Sequence, residues 1–212
     1  MTKTKKMVFT ALICAIAFVL TTFIRIPISS VPFLKYDPKD IIIVISGFVF
    51  GPATTVISTT IVSFIELFTI SSTGIIGLIM NIISTLAFAA TAAAIYKSNR
   101  TMKGAIAALI LGVITQTAAM IIWNYAITPL YMELSREVVT KMLIPVFLPF
   151  NLIKGTLNAA FTLLLYKPFV KLMKALGILN SYNAVKKSSY LGVALTAVVI
   201  ISLCVVSIII LK

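Results

Sequence analysis

An amide and an ammonium stand three residues apart in Pro149-Phe150-Asn151-Leu152-Ile153-Lys154-Gly155, inside a stretch that is otherwise hydrocarbon. On a helix that spacing sets Asn151 and Lys154 on one face, and Asn158 and Thr162 continue the stripe at further steps of four. A charged side chain at membrane depth costs about 2.5 to 3.5 kcal/mol on insertion scales, so it persists where something compensates it. Asn carries both a carbonyl acceptor and two amide donors. A pair of Asn side chains can therefore read a planar heterocycle that alternates N–H and C=O groups, whereas a carboxylate can only accept. Asn124, at the end of the preceding apolar run, supplies the second amide, and Gly155 leaves room for a flat ligand to approach the backbone. The same residues can also bond neighbouring helices or snorkel to the interface, and for Asn158 both readings stand.

Other groups at the same level widen the choice. Tyr36, Trp123, Tyr125 and Tyr131 can stack on a ring, but Trp and Tyr also collect at membrane interfaces for solvation reasons alone. Asp37-Pro38-Lys39-Asp40 has the outline of an Asp-x-x-Asp metal motif of lipid-modifying enzymes. With five acidic residues in the chain and no second Asp-rich cluster, Asp40 reads better as the cap of the helix that follows. Glu66 is a candidate counter-charge for Lys154 or Lys35, since a buried charge needs compensation. Histidine is absent, and Cys14 and Cys204 lie in different apolar segments, so no metal site, Cys/His nucleophile or disulfide framework is legible. No Gly-x-x-x-x-Gly-Lys-Ser/Thr loop occurs, so the chain does not itself couple ATP hydrolysis.

The elements that must position these residues are membrane helices. With 212 residues, 60% hydrophobic, 11% charged and a mean hydropathy of +1.14, the composition is that of a polytopic membrane protein. Windows long enough to cross about 30 Å of hydrocarbon fall at residues 7–25, 53–70, 75–96, 103–124, 144–166 and 190–211, with a shorter one at 40–51. The expected fold class is an all-α integral membrane protein. Lys3, Lys5 and Lys6 resemble the start of a signal peptide, yet Arg25 and Pro27 follow without a small-residue cleavage pattern, and the first segment reads as a retained helix.

The formal net charge of +13 does not point to nucleic acid, because the cations sit in short connections and follow topology. With the N-terminus cytoplasmic, Lys3, Lys5, Lys6, Lys97, Arg100, Lys103, Lys167, Lys171, Lys174, Lys186 and Lys187 fall inside. Arg25, Lys35, Lys39, Arg136, Lys141 and Lys212 fall outside, and Lys154 stays in the membrane. The positive-inside rule favours that orientation. Residues 26–39, with Ser29 and Ser30, and residues 125–143, with Glu133 and Glu137, are then long connections on the outer face, as expected over a shared site. Ala11 and Ala15 form a small-xxx-small face that allows close helix approach, a spacing that Ala89 and Ala93 repeat.

Three segments together resemble a known family: Phe33-Leu34-Lys35-Tyr36-Asp37-Pro38-Lys39-Asp40, Asn124-Tyr125 with Thr128-Pro129-Leu130-Tyr131, and Pro149 to Gly155. They are similar to the riboflavin-specific substrate-binding subunit, or S component, of energy-coupling factor (ECF) transporters, over about residues 5–175. The resemblance implies a six-helix S-component bundle in a bacterial-type cell membrane that takes riboflavin from outside, with flavin mononucleotide left open. No cofactor or metal is implied. It further implies a transmembrane coupling protein and two cytoplasmic ATPases as partners. Substrate-binding positions matched to the family are Leu34, Lys35, Tyr36, Asp37, Asn124, Asn151 and Lys154, to which the polar stripe and ring arguments add Tyr125, Tyr131 and Asn158. Ala11 and Ala15 match the family's contact with the coupling protein.

Residues 1–176 form the expected substrate-binding domain, 177–189 a cytoplasmic linker, and 190–212 an extra C-terminal transmembrane helix peripheral to binding, where the family ordinarily ends after six helices. The chain is expected not to be an enzyme. Alternatives are an S component for another vitamin, an intramembrane lipid-phosphate enzyme acting through Asp37 and Asp40, and a stand-alone secondary carrier.

Overall fold

The computed structural model describes residues 3–28, 31–175 and 190–211, without the side chains of 190–191 and 210–211. Ser29 and Ser30, the expected linker at 177–189 with Lys186 and Lys187, and Lys212 lie outside the described residues. Helix α1 (Lys3–Phe23) leads into a two-residue hairpin, β1 (Ile26–Pro27) and β2 (Lys35–Tyr36), antiparallel with Ile26 opposite Tyr36 and Pro27 opposite Lys35. Helices α2 (Lys39–Phe50) and α3 (Pro52–Thr69) follow. Next, α4 (Gly74–Thr85) and α5 (Thr91–Ser98) join through a π-helical turn at Leu86–Ala90, and α6 (Met102–Met132) comes after them. Helix α7 (Arg136–Met142) passes through a second π turn at Leu143–Phe147 into α8 (Leu148–Ala175), and α9 (Tyr190–Leu211) ends the described chain.

Among the described residues six helices are long and apolar enough to cross a membrane. Helix α2, with 12 residues, is not: at 1.5 Å per residue it reaches about 18 Å. It is instead the centre of the bundle, packed by α1, α3, α5 and α8, with Ile43, Val44 and Ile45 fully buried. Gly51 turns the chain from α2 into α3 at φ 96°, a conformation that costs glycine nothing, and Pro52 starts α3 where its missing N–H is no loss. The π turn before α8 contains Pro145, whose ring cannot accept the regular i−4 ladder, and the extra residue in that turn resets the face that α8 presents.

The second outer connection is not the long loop expected at 125–143. Helix α6 continues through Pro129 to Met132, Glu133 closes it at φ 54°, and α7 begins at Arg136 behind a Ser135 cap. A polar, proline-containing stretch reads as a loop in sequence, yet near a helix end the bond that Pro129 removes is a small loss. Asn124 accordingly lies eight residues inside α6 and not at its end.

Two buried clusters hold the bundle. Toward the N-terminal side of α1, small residues bring helices together: Ala89 and Ala93 are fully buried, and a Cβ on Gly47 would stand 2.8 Å from that of Ala93. Phe48, Tyr96 and Tyr166 stack beside them, the two phenols hydrogen-bonded at 2.9 Å. The other cluster gathers Ile28, Val31, Leu34, Tyr36, Phe147, Phe150 and Leu157, and α9 joins it through Cys204. Ala11 and Ala15, by contrast, are exposed on α1.

Candidate functional site

Buried charges meet where the 26–38 segment crosses the ends of α2, α3, α4 and α8. Lys154 in α8 reaches Asp37 at 3.3 Å and Asp40 at 3.9 Å, and all three side chains are buried. Asp40 also accepts from Thr85 Oγ1 at 2.7 Å and from Asn158 Nδ2 at 3.2 Å. A second pair, Lys39 with Glu66, lies alongside, and Asn81 donates to the same Glu66 oxygen at 3.0 Å. Such pairs are stable only when their remaining hydrogen-bonding capacity is met, and removing one partner costs about 3 to 5 kcal/mol. Burial would raise the pKa of Asp37, in the loop before α2, but the ammonium groups of Lys154 and Lys39 outweigh it and hold this carboxyl below its usual range.

Three expectations change here. Asp40 does not cap α2, which begins after Pro38 with no side-chain cap; buried in the first turn, its carboxylate is worth more opposite Lys154 than as a solvated cap. Glu66 forms its direct ion pair with Lys39 rather than with Lys154 or Lys35, and acts on Lys154 from a longer range. Gly155 faces α6: a Cβ there would lie 3.0 Å from Val113 Cγ1 and 3.2 Å from Gln116 Oε1, so the glycine serves helix packing rather than ligand approach.

Beside the charge cluster lies a cavity of about 50 Å³ lined by Leu34, Lys35 and Asp37 of the hairpin segment, Asn151 and Lys154 of α8, and Asn81, Ser84 and Met80 of α4. Arg25, Phe33, Ser72, Thr73, Met120 and Phe150 complete it. Of the ten candidate binding residues, five thus line one cavity. The strand alternation explains why Tyr36 is not among them: Lys35 and Asp37 face the cavity, and Tyr36 points to the other side of β2. Asn124 is fully buried within α6, donating to Met120 O at 2.7 Å and accepting from Thr128 at 2.8 Å. Asn158 sits one turn below Lys154 on Asp40. Tyr131 lines a small adjoining pocket with Trp123 that shares Phe33, Thr73 and Met80 with the cavity. Tyr125 is exposed beneath the guanidinium of Arg136, 5.3 Å from the ring centre.

The cavity offers donors, acceptors and apolar walls together. Lys154 and the Asn151 and Asn81 amides donate, and Asp37 Oδ1 is buried without a hydrogen-bond partner in the protein. Asn151 holds its own amide against Phe147 O at 2.7 Å, which fixes the side chain in the π-turn geometry. Asn81 was missed in sequence although it carries the signal that marked Asn151, a lone amide in an apolar run, Ile79-Met80-Asn81-Ile82. Asp37 and Asp40 are bridged by the Lys154 ammonium, which neutralises both carboxylates. Among the described residues no cluster of three or more His, Cys, Asp or Glu could hold a metal.

Residues 5–166 match the family described as ECF transporter, substrate-specific component. The chain is 30% identical over 181 residues to "Riboflavin transporter RibU" of Staphylococcus aureus, covering 82% of this chain and 95% of that protein. It is 30% identical over 176 residues to "Riboflavin transporter FmnP" of Bacillus subtilis, covering 78% and 92%. A solved structure described as "Structure and mechanism of the S component of a bacterial ECF transporter" superposes with a TM-score of 0.69 at 31% identity, over 82% of this chain and 99% of that one. The helical membrane bundle, the polar cavity under the hairpin segment and a match across most of the chain converge: it belongs to the ECF transporter substrate-specific components, as a multi-pass membrane protein of transport and not an enzyme.

Proposed function

We propose that this chain binds riboflavin from outside the cell and releases it inward when a transmembrane coupling protein and two cytoplasmic ATPases act on it. The observation that carries the reading is the meeting of Asn151, Lys154 and Asp37 at one cavity, which sets an amide and a carboxylate-paired cation against a polar heterocycle with a hydroxylated side chain. Likeness to relatives named riboflavin transporters supports the choice of ligand. The cation count across the connections supports a cytoplasmic N-terminus, with the hairpin segment outside. Of the ten candidates, Leu34, Lys35, Asp37, Asn151 and Lys154 are the proposed contacts, joined by Asn81.

The direct test is the visible absorption spectrum of the protein purified from cells grown with riboflavin. A flavin band that copurifies in about one equivalent supports the assignment; a colourless protein that binds thiamine or biotin saturably overturns it.

A further inference from the structure

Two residues that line the polar cavity, Asn81 and Ser84, stand three apart on α4 and so share one face of that helix. Each is held from behind by a buried polar side chain of another helix. Glu66 of α3 accepts from Asn81 Nδ2 at 3.0 Å. Gln116 of α6, a lone amide in an apolar helix, donates from Nε2 to Ser84 Oγ at 3.2 Å.

These partners decide which end of each group is left for a ligand. Glu66, paired with Lys39, is a carboxylate and only accepts, so the Asn81 amide must turn its nitrogen toward it. The carbonyl oxygen, at the opposite corner of the planar amide, remains as an acceptor. At Ser84 the relation is inverted: its oxygen already accepts from Gln116, and the hydroxyl proton remains to donate. Helix α4 therefore presents an acceptor and, one turn deeper, a donor. Met80 beside Asn81, and Met120 one turn along α6 from Gln116, set apolar walls around the pair. A flat ring with a polar edge suits such surroundings, whereas a hydroxylated chain suits the Arg25, Lys35, Ser72 and Thr73 side of the cavity.

We propose that Glu66 and Gln116 are positioning residues for ligand selection, fixing Asn81 to accept from a ring N–H and Ser84 to donate to the ring C=O next to it. In riboflavin these groups are the imide N–H and an adjacent carbonyl. The inference rests on the ligand assignment and deepens it.

The test is titration of riboflavin and of 3-methylriboflavin, in which a methyl replaces the imide hydrogen, into the full chain in detergent. Riboflavin should bind about tenfold more tightly, because the methyl leaves the Asn81 oxygen buried without a donor. Asn81→Leu should weaken riboflavin and leave the methyl derivative nearly unchanged; a preference that survives this variant is steric and overturns the proposal. Glu66→Gln, whose amide donates as well as accepts, should free the Asn81 amide to turn and cut the preference several-fold. Glu66→Gln with Lys39→Met serves if the single variant fails to fold. A lowered melting temperature with the preference intact would leave Glu66 a structural residue and overturn its positioning role. Gln116→Met should weaken riboflavin several-fold, with no further loss once Ser84→Ala is present; losses that multiply overturn the coupling. Equal affinity of the unaltered chain for the two flavins overturns this inference alone, while failure of the folded chain to bind riboflavin overturns the ligand assignment with it.

Discussion

Lys154 neutralises two buried carboxylates and is also a proposed ligand contact, and those roles make different demands on substitution. A merely snorkelling lysine would tolerate Lys154→Met. Here the change strands Asp37 and Asp40, so it should abolish binding and also lower stability by about 3 to 5 kcal/mol, read as a fall in melting temperature in detergent. Lys154→Met with Asp37→Asn should recover part of the stability and none of the binding; a melting temperature unchanged in the single variant would contradict the ion-pair account. The two amides of α8 should separate in the same way. Asn151→Leu, at the cavity, should weaken riboflavin binding by about 1 to 3 kcal/mol, while Asn158→Leu, which removes a donor to Asp40, should cost stability of similar size with a smaller change in affinity. The stripe itself was legible from spacing. Which member meets ligand was not, because Lys154 and Asp37 lie 117 residues apart and pair through the register of α8 against the hairpin, a relation that no local pattern encodes.

Among the described residues the long apolar windows coincide with the six helices long and apolar enough to cross a membrane, because burial in lipid demands such runs, and the short window at 40–51 coincides with the short α2. Connections fared worse: the stretch around Pro129 is helix, since propensity and the neighbouring turn override a polar composition. At this scale Gly155 offers a sharp test. Gly155→Ala should push α8 away from Val113 and lower stability by about 1 to 3 kcal/mol, measured by thermal unfolding. An unaltered melting temperature with lost flavin affinity would return the glycine to a ligand role. Deleting α9 should leave riboflavin affinity within roughly threefold, because lipid replaces its apolar contacts at little cost. Loss of all binding would make α9 part of the site.

Across the whole molecule, the fold divides its surfaces between tasks. The polar cavity opens under the hairpin segment, and Ala11 and Ala15 are exposed on α1. Ala11→Trp and Ala15→Trp should therefore spare riboflavin binding by the isolated chain and abolish its uptake in cells, since a bulky group there blocks close helix approach. Normal uptake by both variants would remove the docking role from α1.

The claim on which the rest depends is the ligand, and fluorescence titration of riboflavin into the purified, flavin-free protein tests it most directly. The account predicts saturable quenching with one site per chain, weakened in Asn151→Leu. A flat titration, with saturable binding of a different vitamin by the same folded preparation, would contradict it.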